Sequence, residues 1–256
     1  MLSGRIALVT GASAGIGLAC AKTFAREGCR LILAARRIDQ LREIAESIQA
    51  AHGVEIHTIA LDVRDRAAVD AALRHLPPEW SQVDLLINNA GLSRGLEKVH
   101  EADPVDYEEM VDTNVKGLLW VTQAILPGMV KRDHGHIVNI GSIAGHQVYL
   151  GGSVYCATKA AVSSISQGLR IDLLGTRIRV SSVDPGMVQT DFSLVRFHGD
   201  EERAAKVYQS FPPLKPEDVA DAILWCVTRP AHVNVAEIVL MPTDQAAVYA
   251  SYQRGV

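Results

Sequence analysis

The chain has 256 residues, a net charge of −4, 48% hydrophobic residues and 21% charged residues. This composition predicts a globular protein with a sizeable core. The weakly acidic charge gives no reason to expect nucleic acid as a partner, and no basic run predicts binding to an anionic membrane. The most apolar stretch, 117–130, is interrupted by Thr122, Gln123 and Pro127. It is too short to span a bilayer, so no membrane partner is expected.

The cysteines are scattered and form no C-x-x-C pair; they are Cys20, Cys29, Cys156 and Cys226. This spacing argues against a disulfide framework or a zinc site and favours a reducing, cytoplasmic location. His134 and His136 resemble a metal-binding pair, but no third ligand lies at the required spacing. We therefore expect no metal. The first residues show no charged region followed by a long apolar one, so no signal peptide is expected.

Short β-branched runs alternate along the chain with segments of helical period. The predicted strands are Ile6–Thr10, 31–34, 55–61, 85–87, 136–140, 179–183 and 237–241. Several are continuous apolar runs, which is typical of parallel strands buried on both faces. Helices are predicted at 16–27, at 39–51, from Asp103 and Pro104 onwards, at 153–174 and at Pro216–Val227. The alternation predicts one α/β domain over residues 1–256, a doubly wound parallel Rossmann sheet of about seven strands.

A glycine turn follows the first predicted strand. Gly11, Gly15 and Gly17 lie between that strand and the first predicted helix. Glycine allows a sharp turn and a close approach of the backbone to a phosphate. The helix N-terminus adds unpaired N–H groups and a positive dipole end. The turn therefore predicts a dinucleotide pyrophosphate site.

The end of the second predicted strand indicates which dinucleotide binds. An NAD-binding fold usually has an acidic residue here, about 20 residues beyond the glycines. This chain instead has Ala34 and Ala35 followed by Arg36 and Arg37. A guanidinium binds a 2′-phosphate through charge-assisted, often bidentate hydrogen bonds. The sequence therefore predicts NADP(H).

Tyr155 and Lys159 are four residues apart in a predicted helix, so they share one face. A nearby ammonium favours the ionised form of a phenol, and we expect Lys159 to make Tyr155 a usable acid/base. Ser142 ends the preceding strand, at the sheet edge where open α/β folds bind ligands. Its hydroxyl is suited to polarising a carbonyl, although a serine there is also an ordinary helix cap.

Together these motifs resemble the short-chain dehydrogenase/reductase family over nearly the full length. The matching motifs are Thr10–Gly17, Asp62-Val63, Asn88–Gly91, Asn114, Ser142, Tyr155/Lys159 and Pro185-Gly186. The resemblance implies Tyr155 as the general acid/base, with Asn114, Ser142 and Lys159 as its catalytic partners. It implies that the cofactor is lined by Gly11, Ser13, Gly15, Ile16, Gly17, Arg36, Arg37, Asp62, Val63, Asn88, Ala90, Gly91, Tyr155, Lys159, Pro185, Gly186, Val188 and Thr190.

Within that family the chain resembles the 3-hydroxy acid (serine) dehydrogenases and their relatives, the sulfoacetaldehyde reductases. This rests on the segments 76–80, 126–130 and 230–234. Such enzymes need a group that binds the substrate's acid. The candidates are Arg94, Ser142, Gln147, Tyr149 and, in a lid at about 187–215, Arg196. Arg94 and Gln147 replace residues that are apolar in that subgroup, and added donors suit a three-oxygen sulfonate.

The expected activity is the NADP(H)-dependent interconversion of a short hydroxy anion and its aldehyde or semialdehyde. The anion is a 3-hydroxy acid such as serine or 3-hydroxypropionate, or a sulfonate such as isethionate. One alternative is a 3-oxoacyl or ketone reductase of the same family. Another is an NADP-binding sensor without catalysis, which would not need the Ser142, Tyr155 and Lys159 set. The family resemblance also implies a homotetramer.

Overall fold

The structure, a computed structural model, describes residues 2–209 and 211–253. One parallel sheet has the strand order β3-β2-β1-β4-β5-β6-β7. Its strands are β1 Ile6–Thr10, β2 Arg30–Ala35, β3 Ile56–Ala60, β4 Val83–Asn88, β5 Gly135–Ile140, β6 Ile178–Pro185 and β7 Glu237–Leu240. The predicted seven-stranded, doubly wound α/β fold is confirmed. A small antiparallel pair, β8 Gln245–Ala247 and β9 Ala250–Ser251, was not predicted.

The helices lie on both faces of the sheet. They are α1 Gly15–Arg26, α2 Ile38–His52, α3 Arg66–Leu73, α4 Pro104–Val111, α5 Leu118–Arg132, α6 Ser153–Asp172, α7 Phe192–Arg196, α8 Glu201–Val207 and α9 Pro216–Val227. The expected cap at Asp103 is present, since its side chain accepts from the Val105 N–H. A π-helical turn, Asp112–Gly117, joins α4 to α5 and had no signal in the sequence. No helix of the described residues is long and apolar enough to cross a membrane.

The sheet is buried on both faces because its central strands are almost wholly apolar. Alternate residues of each strand enter two separate cores: Leu31 and Leu85 belong to the core with α1 and α9, whereas Ile32 and Leu86 belong to the core with α5. Burial on both faces explains the continuous apolar runs of the sequence. The resulting rigid sheet brings the carboxyl ends of β1, β4, β5 and β6 to one edge.

The segment predicted as a lid, 187–215, leaves that edge after β6. It contains α7 and α8 and returns to the sheet through a bridge between Val188 and Leu214. Residue 210 lies outside the described residues. The lid itself remains a prediction, but α7 lies across the carboxyl edge of the sheet and contributes side chains to the cavities described below.

Candidate active site

The glycine turn lies at the switch point of the sheet, between β1 and β4. Gly11 and Gly15 have φ angles of +63° and +51°, which favour glycine. A side chain at Gly17 would overlap the Gly11 carbonyl oxygen. The Asn89 amide donates to the carbonyl of Thr10 at 2.9 Å and that of Gly11 at 3.2 Å. The conformation of the turn therefore requires glycine, and the Asn89 amide fixes it in the shape that a ligand would meet.

A cavity of about 340 Å³ extends from this turn along the end of β2. Its lining includes Ser13, Arg36, Arg37, Asp62 and Val63. Arg37 donates to the Ser13 hydroxyl at 3.4 Å. No carboxylate stands at Ala35. Arg64, which contacts Asp62 at 2.6 Å, lowers the pKa of that carboxyl. The arginines at the end of β2 and the absence of an acid there fit the 2′-phosphate of NADP(H).

A second cavity, of about 210 Å³, continues towards the catalytic residues. Its lining includes Gly15, Ile16, Ala90, Gly91, Lys159, Pro185 and Thr190. Asn88 does not line it, because its amide bridges Thr122 and Asn139 at 2.9 Å each. Its neighbour Asn89 lines the cavity instead. Sequence reasoning missed Asn89, although it lies in the same motif.

Lys159 is buried beside this cavity. Its Nζ donates to the Ile140 carbonyl at 2.8 Å. Burial lowers the pKa of Lys159 to about 8, while the negative charge of Asp184 acts in the opposite direction. Asp184 itself is buried and lies so close to Gly141 that any side chain there would overlap its carboxylate. Sequence reasoning also missed Asp184, which resembles any acid at the end of a strand.

Tyr155 is buried on the same helix, α6, and lines the same cavity as Ser142. Burial raises its pKa, and the charge of Arg196 and the nearby Ser142 hydroxyl oppose that rise. The effect of Lys159 on the phenol stays a prediction: its ammonium lies 5.9 Å from the ring centroid and donates to the Ile140 carbonyl. Arg196 is a second cation beside the phenol, with its guanidinium 5.6 Å from the same centroid, and its charge lowers the pKa of Tyr155.

Asn114 lies in the π-helical turn, a device often found at functional sites. Its amide donates to the Leu92 carbonyl at 2.8 Å and to the Thr158 hydroxyl at 3.0 Å, and its oxygen accepts from the Leu92 N–H at 2.8 Å. An added side chain at Gly91 would lie 3.2 Å from the Asn114 oxygen and 3.6 Å from the Lys159 ammonium. Asn114 therefore joins α6 to the β4 loop next to Lys159.

A third cavity, of about 290 Å³, opens in front of Tyr155. Its lining includes Ser142, Tyr149, Tyr155, Gly186, Val188, Phe192 and Arg196. The Ser142 hydroxyl also accepts from the Ala144 N–H at 3.1 Å. The helix cap, which was the other role expected for this serine, is therefore present too. Gly186 and Val188, expected next to the cofactor, line this cavity. The two hydroxyls predicted to be catalytic, those of Ser142 and Tyr155, therefore line the same cavity as the Arg196 cation.

The Arg196 guanidinium lies 5.1 Å from the Phe192 ring centroid and 5.6 Å from the Tyr155 centroid. One of its terminal nitrogens donates to the Tyr149 hydroxyl at 3.2 Å. Its Nε is buried and has no hydrogen-bond partner among the described residues. A buried N–H without a partner costs about 1–3 kcal/mol, which a bound anion would recover.

Arg94 and Gln147 do not line that cavity. Arg94 forms an ion pair with Glu109 at 2.6 Å and donates to the Val195 carbonyl. The Gln147 oxygen accepts from the Val248 N–H at 2.9 Å. Arg94 is therefore engaged with the segment before Arg196, and Gln147 holds the C-terminal segment. Neither supplies a free donor to the substrate cavity.

Cys20, Cys29, Cys156 and Cys226 are free and buried. His136, on β5, contacts the Ser181 hydroxyl, and His134 contacts Asp84 at 3.5 Å, so the histidine pair does not converge on one point. Within residues 2–209 and 211–253, one group brings metal-ligand atoms within 4.8 Å: His146, Asp184 and Glu237. His146 already forms a 2.8 Å hydrogen bond with Asp184.

Comparison with known proteins agrees with this geometry. The family model described as short chain dehydrogenase matches residues 5–200. An NADP-dependent 3-hydroxy acid dehydrogenase of Shigella flexneri is 49% identical over 94% of this chain and 96% of its own length. A protein of that description from Schizosaccharomyces pombe is 42% identical over 99% and 98%. The solved closed form of a serine dehydrogenase complexed with NADP+ superposes with a TM-score of 0.92, at 47% identity, covering 98% of this chain and all of that one.

Proposed function

Because this chain belongs to the short-chain dehydrogenase family, we propose that it interconverts a short hydroxy anion and its aldehyde, with NADP(H) as cofactor. The observation that carries the proposal is the cavity in which Ser142 and Tyr155 lie with Arg196. Two hydroxyls suited to a carbonyl and one guanidinium suited to an acid group line the same 290 Å³ space. The relatives named above support a 3-hydroxy acid as that anion.

The cofactor is NADP(H). The relatives are NADP-dependent, and one solved structure holds NADP+. The cavity at the end of β2 fits the extra phosphate because Arg36 and Arg37 line it and position 35 is an alanine. Gly11 and Gly15 line the second cavity and carry no side chain, so the backbone of the turn can approach the pyrophosphate closely. When bound, the nicotinamide supplies or accepts the hydride.

The protein's own residues handle the proton. In reduction, Tyr155 donates its phenolic proton to the substrate oxygen, and Ser142 donates a hydrogen bond to the same oxygen. Burial raises the pKa of Tyr155, so the phenol keeps its proton at neutral pH and reduction is favoured there. Oxidation needs the phenolate and should accelerate at alkaline pH. Lys159 supports the reaction as a fixed cation next to the nicotinamide end of the cavity.

Arg196 holds the acid group of the substrate in this proposal. Its Nε has no partner among the described residues, and its charge lies beside Tyr155. A guanidinium can bind a carboxylate or a sulfonate through two parallel hydrogen bonds. An anion in that position places the carbinol carbon of a short chain close to Tyr155.

The test compares kcat/KM for NADP+-dependent oxidation of 3-hydroxypropionate, L-serine, isethionate and the uncharged 1,3-propanediol. Arg196→Gln should lower kcat/KM for the anions about 10- to 100-fold, the loss of one or two charge-assisted hydrogen bonds. Oxidation of 1,3-propanediol should fall much less, because it loses only the effect of the Arg196 charge on the pKa of Tyr155 and not the bonds to an acid group.

Arg203→Gln is the matched control, since Arg203 also lies over an aromatic ring of the same segment, 4.4 Å from the Phe197 centroid, without lining the cavity. An equal loss for propanediol and the anions in Arg196→Gln would contradict the clamp. A preference for isethionate over both carboxylates would identify a sulfonate substrate. Higher kcat/KM for long acyl thioesters would favour the 3-oxoacyl reductase alternative.

We also propose a cytoplasmic homotetramer. Exposed apolar side chains support association: Trp225 on α9 is 49% exposed, and Ile171 at the end of α6 is 68% exposed. The edge strand β7 has one unpaired side, which a second copy can cover. Sedimentation velocity at micromolar concentration should give a species of four chains, and a monomer there would overturn the assembly.

A further inference from the structure

A separate cavity of about 370 Å³ lies at the opposite edge of the sheet, at the amino ends of β1, β4, β5 and β6. Its polar lining includes Arg5, Asp84, His136, Arg177, Arg179 and Arg229. The family reaction makes no use of this edge, because its motifs all follow the carboxyl ends of the strands. The family reaction therefore assigns no ligand to this cavity.

The lining is strongly cationic. It has four arginines and one acid, Asp84. Arg179 is buried, with an exposure of 9%, and it donates to the carbonyls of Val227, Arg229 and Val233 at 2.9–3.3 Å. No carboxylate among the described residues pairs with it. Of the five N–H donors of a guanidinium, these three bonds leave two.

Arg5 and Arg177 supply further charge at the rim. The Arg5 guanidinium forms no hydrogen bond or ion pair within residues 2–209 and 211–253. Arg177 makes one ion pair, with Asp133 at 3.6 Å, and its side chain is 82% exposed. Both can therefore turn towards a bound anion without breaking a buried contact.

His136 presents a hydrogen-bond acceptor, so a ligand next to it must supply a donor. It is 1% exposed, and burial lowers its pKa to about 3, so the ring is neutral. The Ser181 hydroxyl donates to the Val235 carbonyl at 2.5 Å, so its only proton is already used in that bond. The 2.8 Å contact between His136 Nε2 and Ser181 therefore needs the proton on Nε2. His136 Nδ1 is then a bare acceptor, and it has no partner among the described residues.

We propose that this cavity binds a small oxyanion that carries its own hydroxyl donor. Arg5, Arg177 and Arg179 bind the negative oxygens, and His136 Nδ1 accepts a hydrogen bond from the ligand's hydroxyl. Monohydrogen phosphate is the simplest such ligand, and a short hydroxycarboxylate has the same chemistry. Sulfate and acetate lack the donor at neutral pH, so they leave Nδ1 unpaired.

The experiment is isothermal titration of the enzyme with inorganic phosphate at pH 7.5 and low ionic strength. NADP+ is kept at saturation so that its own site is filled, and all titrations use the Arg196→Gln background so that the proposed substrate cavity does not compete for the anion. Parallel titrations use sulfate, glycolate and acetate. The expected result is that phosphate binds about tenfold more tightly than sulfate, or glycolate about tenfold more tightly than acetate, as one extra buried hydrogen bond requires. The tighter of the two hydroxylated anions identifies the source.

Arg5→Gln and Arg177→Gln remove charge without disturbing the core, and each should weaken the preferred anion about tenfold. Arg42→Gln is the control, because Arg42 is an exposed arginine on α2 that pairs only with Asp39 in the described chain. Anion affinity that is equal in all three variants would overturn the site. Equal affinity of the hydroxylated and unhydroxylated anions would overturn the role of His136.

Discussion

The buried ammonium of Lys159 should destabilise the folded protein, and removing it should therefore raise the free energy of unfolding. Burial lowers its pKa from 10.5 to about 8. At 1.36 kcal/mol per pKa unit, carrying the proton in the folded state costs about 3 kcal/mol at pH 7. Lys159→Met keeps the length and apolar stem of the side chain but leaves the Ile140 carbonyl without this donor. We therefore expect the variant to be inactive, yet more stable than wild type by about 1–2 kcal/mol at pH 7.

The dependence on pH separates this explanation from simple repacking. The folded pKa of Lys159 lies below the unfolded value, so the full cost is present below about pH 8. It diminishes as pH rises and disappears above 10.5. Between pH 7 and pH 9.5, wild type should gain about 2 kcal/mol relative to Lys159→Met. Urea denaturation of both proteins at matched concentration across that range measures the difference.

Other titrating groups are common to both proteins and cancel in the comparison. Lys131→Met provides the control because Lys131 is exposed on α5, and its stability relative to wild type should stay constant with pH. A difference between Lys159→Met and wild type that is also constant from pH 7 to pH 9.5 would refute the reasoning. It would mean that Lys159 retains its proton through that range despite its burial.

Three further substitutions test the cofactor and proton chemistry. Tyr155→Phe should abolish turnover and leave the Kd for NADPH within about twofold, measured by fluorescence titration; full activity would exclude Tyr155 as the acid/base. Ala35→Asp should shift the ratio of kcat/KM for NADPH over NADH by about tenfold or more towards NADH, since a carboxylate repels the 2′-phosphate and accepts from the ribose hydroxyl; an unchanged ratio would contradict that cavity assignment. Gly17→Ala should lower stability by about 1–3 kcal/mol, because its methyl would overlap the Gly11 carbonyl; an unchanged Tm and unchanged NADPH affinity would show that the turn relaxes freely.

The predicted strands agreed with the structure to within a few residues because burial on both faces leaves a plain sequence signal. The strand predicted at 31–34, for example, lies inside β2, Arg30–Ala35. The π-helical turn around Asn114 and the short hairpin of β8 and β9 were missed. The first depends on how α4 joins α5, and the second has only five residues. Neither leaves a periodic pattern that a sequence can show.

The site was predictable to the level of which residues converge, because parallel strands bring their carboxyl ends together. The pKa of Tyr155 was not predictable in this way. The spacing of Tyr155 and Lys159 indicates one helical face, but the ammonium is directed to the Ile140 carbonyl. The burial of the phenol and the approach of Arg196 from a segment 41 residues later decide its ionisation. Such effects depend on long-range packing.

The role of Arg94 also depends on long-range packing, because its partners lie far away in the sequence. Its side chain pairs with Glu109, which also pairs with Arg64 at 3.0 Å, and Arg64 holds Asp62 in the adenosine-side cavity. At its other end Arg94 donates to the Val195 carbonyl, and the next N–H, that of Gly95, donates to the Arg196 carbonyl at 2.9 Å. A continuous chain of ion pairs and hydrogen bonds thus runs from the cofactor cavity to the backbone of the proposed anion clamp. We propose that Arg94 acts by positioning Arg196, because Arg94 lies outside the substrate cavity and its guanidinium holds Glu109 and the Val195 carbonyl.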